Sequence, residues 1–159
     1  MYKSLTISPI PLKTFNLFFN NNLRLCYLGL SDQSLDYLYH RGTVIVPPSS
    51  KLYGIYNEKN ELISCFQSDY WSEIATSLHV YIPKKNIFQI YNIKNKIIDY
   101  LSMNTNYRKV LFFIPSSCDH VISVMDKFKF KLEGRLINSM IWRQTAVDML
   151  IYGLNIKEE

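Results

Sequence analysis

Apolar residues recur along this chain with two periods, and the period assigns most of the elements. "PLKTFNLFFNNNLRL" has helical spacing and predicts a short helix closed by the cluster Asn20–Asn22. "SDQSLDYLYHRG" predicts a second helix, capped by Ser31 or Asp32, with Leu35, Leu38 and Tyr39 on one face and Gly42 as its stop. "TVIVPPSS" reads as a short strand broken by Pro47 and Pro48. In "KLYGIYNEKNELISCFQSDY" two apolar-rich runs flank "NEKNE", the pattern of a β-hairpin. "ATSLHVYIP" alternates, placing Leu78, Val80 and Ile82 on one face and His79 and Tyr81 on the other.

From Val80 to Leu101 a strand runs through a basic turn into an amphipathic helix. "KVLFFIP" is continuously apolar, as a strand buried on both faces would be. "SSCDHVISVMDKF" predicts a short helix with Val121, Val124, Met125 and Phe128 at helical spacing, and "FKLEGRLINSMIW" and "VDMLIYGL" predict two closing strands. The resulting order, β-β-β-α-β-α-β-β, is that of a mixed α/β domain around one central sheet.

Composition bounds this picture without changing it. A chain of 159 residues is about one domain long. Alanine is confined to Ala75 and Ala146, while Ile, Lys and Asn are abundant, a bias that suggests an AT-rich genome. The net charge of +5 permits a nucleic-acid partner without requiring one; scattered lysines read as a solvated basic surface. Cys26, Cys65 and Cys118 lack CxxC spacing and His40, His79 and His120 are dispersed, so neither a metal site nor a disulfide framework is expected. "MYKSLTISPIPLKTF" has no signal-peptide core and no apolar run is long enough to span a membrane, so the expected location is cytoplasmic or within an intracellularly assembled virion.

Three phrases carry a family likeness: "HVYIPKK", then "KFKFKLEGRL" (Lys127 to Leu136) following Pro115, then "DMLIYGL" (Asp148 to Leu154). In this order the chain resembles the GNAT superfamily of acetyl-CoA-dependent N-acetyltransferases, nearest the branch that modifies ribosomal-protein N-termini. The likeness runs from about Tyr53 to Leu154, with the first fifty residues matching in outline. It implies one GNAT-like domain over residues 1–159 with its core at 51–156, a mixed central sheet flanked by helices.

The resemblance also carries over a cofactor site, position by position. Val80 and Ile82 on the strand, Lys84, Lys85, Asn86, Gln89, Ile90 and Tyr91 in the loop and helix start, and Cys118 before the next helix hold the family's cofactor-binding places. The family's loop, Arg/Gln-x-x-Gly-x-Gly/Ala, falls on Asn86 to Tyr91, so Gln89 stands for the first glycine and Tyr91 for the small residue. No glycine lies between Gly54 and Gly134. Cys118, Val121 and Met125 replace the family's asparagine, small residue and tyrosine, and Lys129 replaces the glycine before Phe130.

These losses together imply a fold kept without its cofactor: a non-catalytic binding or structural module with protein partners, of phage or virion origin, and with no cofactor. The alternative is a divergent acetyltransferase using acetyl-CoA on a protein N-terminus or another primary amine. Acyl transfer needs a base, and Glu73 and His79 are the candidates. Lys84 and Lys85 would then draw phosphate by side-chain charge; otherwise they are solvated turn residues. "CDH" (Cys118 to His120) is no catalytic triad, because adjacent helical residues do not face one another. Glu133 and Arg135 share a strand face and are expected to pair across strands, with Asp148 or Arg143 as partners. Tyr53, Tyr70, Trp71 and Trp142 are candidates for an exposed interface.

Overall fold

A computed structural model describes residues 4–22 and 46–157, together with the main chain of 25–28. The helix expected over "SDQSLDYLYHRG" and the strand expected at the start of "TVIVPPSS" lie outside the described residues; Pro47 to Ser50 form a turn, in keeping with the break expected at Pro47 and Pro48.

Eight strands of the described chain form one sheet: β1 (Thr6–Pro9), β2 (Leu25–Leu28), β3 (Lys51–Tyr56), β4 (Leu62–Ser72), β5 (Ala75–Pro83), β6 (Lys109–Pro115), β7 (Lys131–Trp142) and β8 (Thr145–Asn155). Three helices pack on it: α1 (Leu12–Asn21), α2 (Ile90–Asn104) and α3 (Asp119–Lys127). The strand order is β1-β3-β4-β5-β6-β8-β7, with β2 set against β5. The hairpin β3–β4 turns through "NEKNE" as expected, with Asn60 at φ 59°. Neither β1 nor β2 was expected from the periodicity, since each is only four residues long.

The two faces of the sheet follow from the alternation along β5. Leu78, Val80 and Ile82 enter the main core with Ile93, Ile97 and Leu101 of α2, Val121 and Met125 of α3, and Val110, Phe112 and Ile114 of β6. Tyr81 faces the other way, onto Phe15 and Phe19 of α1, whose rings meet it edge-on at 5.5 and 4.8 Å. With helices on both faces β5 is buried almost throughout, and only His79 is partly exposed. Asn22 closes α1, its amide and side chain bonding the carbonyls of Phe19 and Phe18.

Helix α3 ends in a Schellman motif: the Phe130 amide bonds the Met125 carbonyl and the Lys129 amide bonds that of Asp126. Lys129 sits there at φ 61°, a left-handed conformation that glycine adopts without strain. On the far edge, Glu133 reaches over β8 to Lys109 on β6 at 2.8 Å. A side chain at Gly153 would collide with the Glu133 carboxylate, so glycine keeps that path open. Arg135 pairs with Asp148 as anticipated, whereas Glu133 finds Lys109, which was not foreseen.

Candidate functional site

The site is organised by a split in the sheet. Among the described strands β5 and β6 are the one parallel pair, and they stay in register only from Ala75–Lys109 to Ser77–Leu111. Beyond that, β5 follows β4 as far as Cys65–Tyr81, while β6 follows β8 as far as Pro115–Met149. His79 lies two residues past the last shared pair, at the mouth of the split.

On the α1 face the register sets Gln67 opposite His79 and puts Asp69 two residues farther along β4. His79 Nε2 lies 3.0 Å from Asp69 Oδ2. A carboxylate can only accept, so Nε2 carries the proton in this pair and Nδ1 of the neutral ring keeps its lone pair. Nδ1 is enclosed and has no hydrogen-bond partner. Asp69 also accepts from Gln67 Nε2 at 2.9 Å and from the Ser50 hydroxyl. Burial disfavours the Asp69 carboxylate, but the bonds from His79, Ser50 and Gln67 outweigh it and hold the carboxyl below its usual range. Gln67 Oε1, Tyr81 Oη and Asn16 Oδ1 are likewise buried without partners. The Asp69 carboxylate thus fixes the imidazole and leaves its opposite nitrogen without a partner.

Glu73 is placed apart from His79. It is exposed in the β4–β5 turn, six residues along the strand, or about 20 Å away. Asp69 is the residue the sequence reading missed; it lies ten positions from His79, and only strand pairing brings the two together.

On the α2/α3 face three of the carried-over cofactor positions, Val80, Ile82 and Ile90, line a small cavity with Lys94, Met125, Phe128 and Phe130, and its volume is about 20 Å³. That is room for about one water, in walls too apolar to hold it. Cys118 is buried in the same core, and burial pushes its thiol up, so it is not a ready nucleophile.

The turn after β5 is a 3-10 helix (Lys84–Gln89) that runs into α2. Its amides close on carbonyls three residues back, as the Ile90 amide does on Ile87. Asn86 ties the turn to β4 through a 2.9 Å bond to the Ile63 carbonyl. Gln89 points inward and is buried; Tyr91 is exposed and meets Phe128 edge-on at 4.7 Å. Lys84 and Lys85 are exposed.

These residues do not fit acetyl-CoA in the conformation described. A cofactor of that size needs a groove of about 300 Å³ or more. Here the cavity is about 20 Å³, the loop amides are engaged and strand β2 lies along β5.

Of the expected interface aromatics, Tyr70 and Trp71 are exposed. Tyr53 is instead buried, stacked on Phe66 at 4.7 Å, and Trp142 is half-buried against both cores. Among the described residues no cluster of His, Cys, Asp and Glu could hold a metal ion, and no helix is long and apolar enough to cross a membrane.

No family model matches this sequence, and no curated protein does. Solved structures do match, over nearly the whole chain. A spermidine N-acetyltransferase SpeG chimera, built from the Vibrio cholerae and hSSAT proteins, superposes with a TM-score of 0.71 at 15% identity, covering 96% of this chain and 95% of the other. The dodecameric V. cholerae spermidine N-acetyltransferase gives 0.68 at 15% identity, covering 96% and 94%. A protein provisionally assigned as a phosphinothricin N-acetyltransferase gives 0.66 at 15% identity, covering 98% and 100%. The split sheet, the crossover helix between β5 and β6 and the closing β7–β8 hairpin are those of the same architecture, and the chain has the GNAT fold of N-acetyltransferases.

Proposed function

We propose that this chain is a divergent N-acyltransferase acting on a primary amine, with His79 as its base and Asp69 as the residue that orients it. The observation that supports this most is the His79–Asp69 pair at the mouth of the split, with His79 Nδ1 enclosed and unpartnered. An amine reaches a neutral nucleophilic state only by losing a proton, and the unpartnered Nδ1 would be the acceptor in this reading. The surrounding acceptors, Gln67 Oε1 and Tyr81 Oη, suit a donor-rich ammonium group. The structural neighbours that are named as spermidine acetyltransferases act on such a group, and acetyl-CoA would be the expected acyl source.

The test is acetyl transfer from acetyl-CoA to spermidine and to a short peptide with a free N-terminus, with products followed by mass spectrometry. Transfer should fall about 10²–10⁴-fold in His79→Ala with the fold intact. Glu73→Gln should leave it unchanged. Failure of the wild-type protein to acetylate any amine at millimolar cofactor would remove this reading.

A second reading is favoured by the closed groove: a GNAT fold retained as a non-catalytic binding module. It would offer a protein partner the exposed Tyr70, Trp71 and Ile74 beside the β4–β5 turn. Acetyl-CoA then produces no thermal shift, whereas ligand at 100 times its dissociation constant would add about 2.7 kcal/mol. A phage or virion source rests on composition alone and finds no support in the fold.

A further inference from the structure

Strand β2 occupies the β5 edge of the split. The Tyr81 carbonyl faces β4, where it accepts the Ser64 hydroxyl at 2.9 Å. Main-chain groups alternate sides along an extended strand, so the amides and carbonyls of Val80 and Ile82 face the split. β2 runs antiparallel along that edge, with Leu28 opposite Val80, Cys26 opposite Ile82 and Leu25 opposite Pro83. It also touches the 3-10 turn that follows β5. Both cofactor-facing features therefore meet the same four residues.

Polar main chain in an apolar split needs a partner. Without β2, no described strand would pair with the main chain of Val80 and Ile82, because β6 pairs with β5 only as far as Ser77–Leu111. Some extended, amide-bearing chain must therefore lie on this edge: β2 or a ligand that pairs in its stead. β2 is also the element that can leave at least cost. It has four paired positions and one neighbouring strand, whereas β4 holds β5 through seven register pairs on the other edge. Its loss leaves β5 anchored by β4 and by the start of β6.

We propose that β2 is an autoinhibitory strap: a strand of this chain that occupies the cofactor edge of β5 and must be displaced before an acyl-CoA can enter the split. This rests on the acyltransferase reading above. A strap closed about 99% of the time lowers apparent affinity about a hundredfold, because only the open fraction binds.

The strap can be locked through its own cysteine. Cys26 is opposite Ile82, and antiparallel partners lie about 4.5–5.5 Å apart at Cα, within disulfide range. In Ile82→Cys, mild oxidation should form a 26–82 disulfide, followed by mass and thiol titration. Binding of acetyl-CoA, measured by calorimetry, should be lost in the oxidised protein and restored by reductant. The reduced form of the same variant serves as its own control for folding. Conversely, Leu28→Pro, which removes an amide of β2 that pairs with Val80, should loosen β2 and tighten acetyl-CoA binding at least tenfold over wild type.

Failure of the two thiols to pair would contradict the placement of β2. Equal binding by oxidised and reduced Ile82→Cys, or no gain in Leu28→Pro, would overturn the strap while leaving the acyltransferase standing. No binding to reduced Ile82→Cys, wild type or Leu28→Pro at millimolar acetyl-CoA would overturn the acyltransferase reading, and the strap with it.

Discussion

The two faces of this sheet are built from the same strand, yet they differ in kind. Toward α2 and α3, β5 presents Leu78, Val80 and Ile82 to a core with a cavity of about 20 Å³. Toward α1 it presents His79 and Tyr81 to Asp69, Gln67 and Ser50, where several buried polar atoms have no partner. Packing on the first face leaves only that small cavity, while on the second several polar side-chain atoms are left without partners. Protein interiors tolerate neither voids nor orphaned polar groups without cost. The proposed chemistry rests on the unsatisfied face, and the proposed strap on the β5 edge between the two.

That contrast can be broken experimentally, and the apolar face offers the largest effect. Met125 is fully buried in it. Met125→Ala should cost about 2–5 kcal/mol in chemical denaturation, because the cavity already present limits relaxation around the deletion. If the variant loses little stability, the face is looser than its packing indicates.

On the polar face, Asp69→Ala should cost about 1–3 kcal/mol, since three donors lose a buried acceptor. The pH dependence gives a second handle. The folded-state Asp69 carboxyl titrates below its unfolded value of about 3.9, so its contribution is complete above that pH and is lost as pH falls through the lower folded value. The stability gap between wild type and Asp69→Asn should narrow as pH drops below about 4. A gap that widens in acid would mean that burial, not hydrogen bonding, dominates at Asp69.

Smaller effects separate backbone from side-chain causes. Lys129→Gly should stabilise by about 1 kcal/mol, because it relieves a left-handed residue at the α3 Schellman motif. Loss of stability there would show that the Lys129 side chain does more than its backbone costs. Tyr81→Phe removes a buried hydroxyl without a partner and should be neutral or stabilising by up to about 1 kcal/mol. Clear destabilisation would place a hidden partner on that hydroxyl and weaken the case for a waiting ligand.

Much of the frame was legible beforehand because it depends on local period. The alternation in "ATSLHVYIP" correctly divided Leu78, Val80 and Ile82 from His79 and Tyr81. The glycine missing before Phe130 was visible as Lys129, and its left-handed φ confirms what that place in the chain requires. Tyr53 was misjudged as exposed because an alternating strand does not reveal whether its outer face will be covered; here Phe66 and Tyr100 cover it.

By itself, then, the sequence determined which side chains of β5 share a face, where α1 closes, and that the turn after β5 lacks glycine. Tertiary structure alone decided that Asp69 meets His79 and that Leu25–Leu28 takes the edge beside Val80 and Ile82. The reason is physical. Side-chain periodicity is written residue by residue, whereas strand pairing is made by main-chain groups that nearly every residue carries alike. Which strand claims an open edge is settled only when the chain has folded around it.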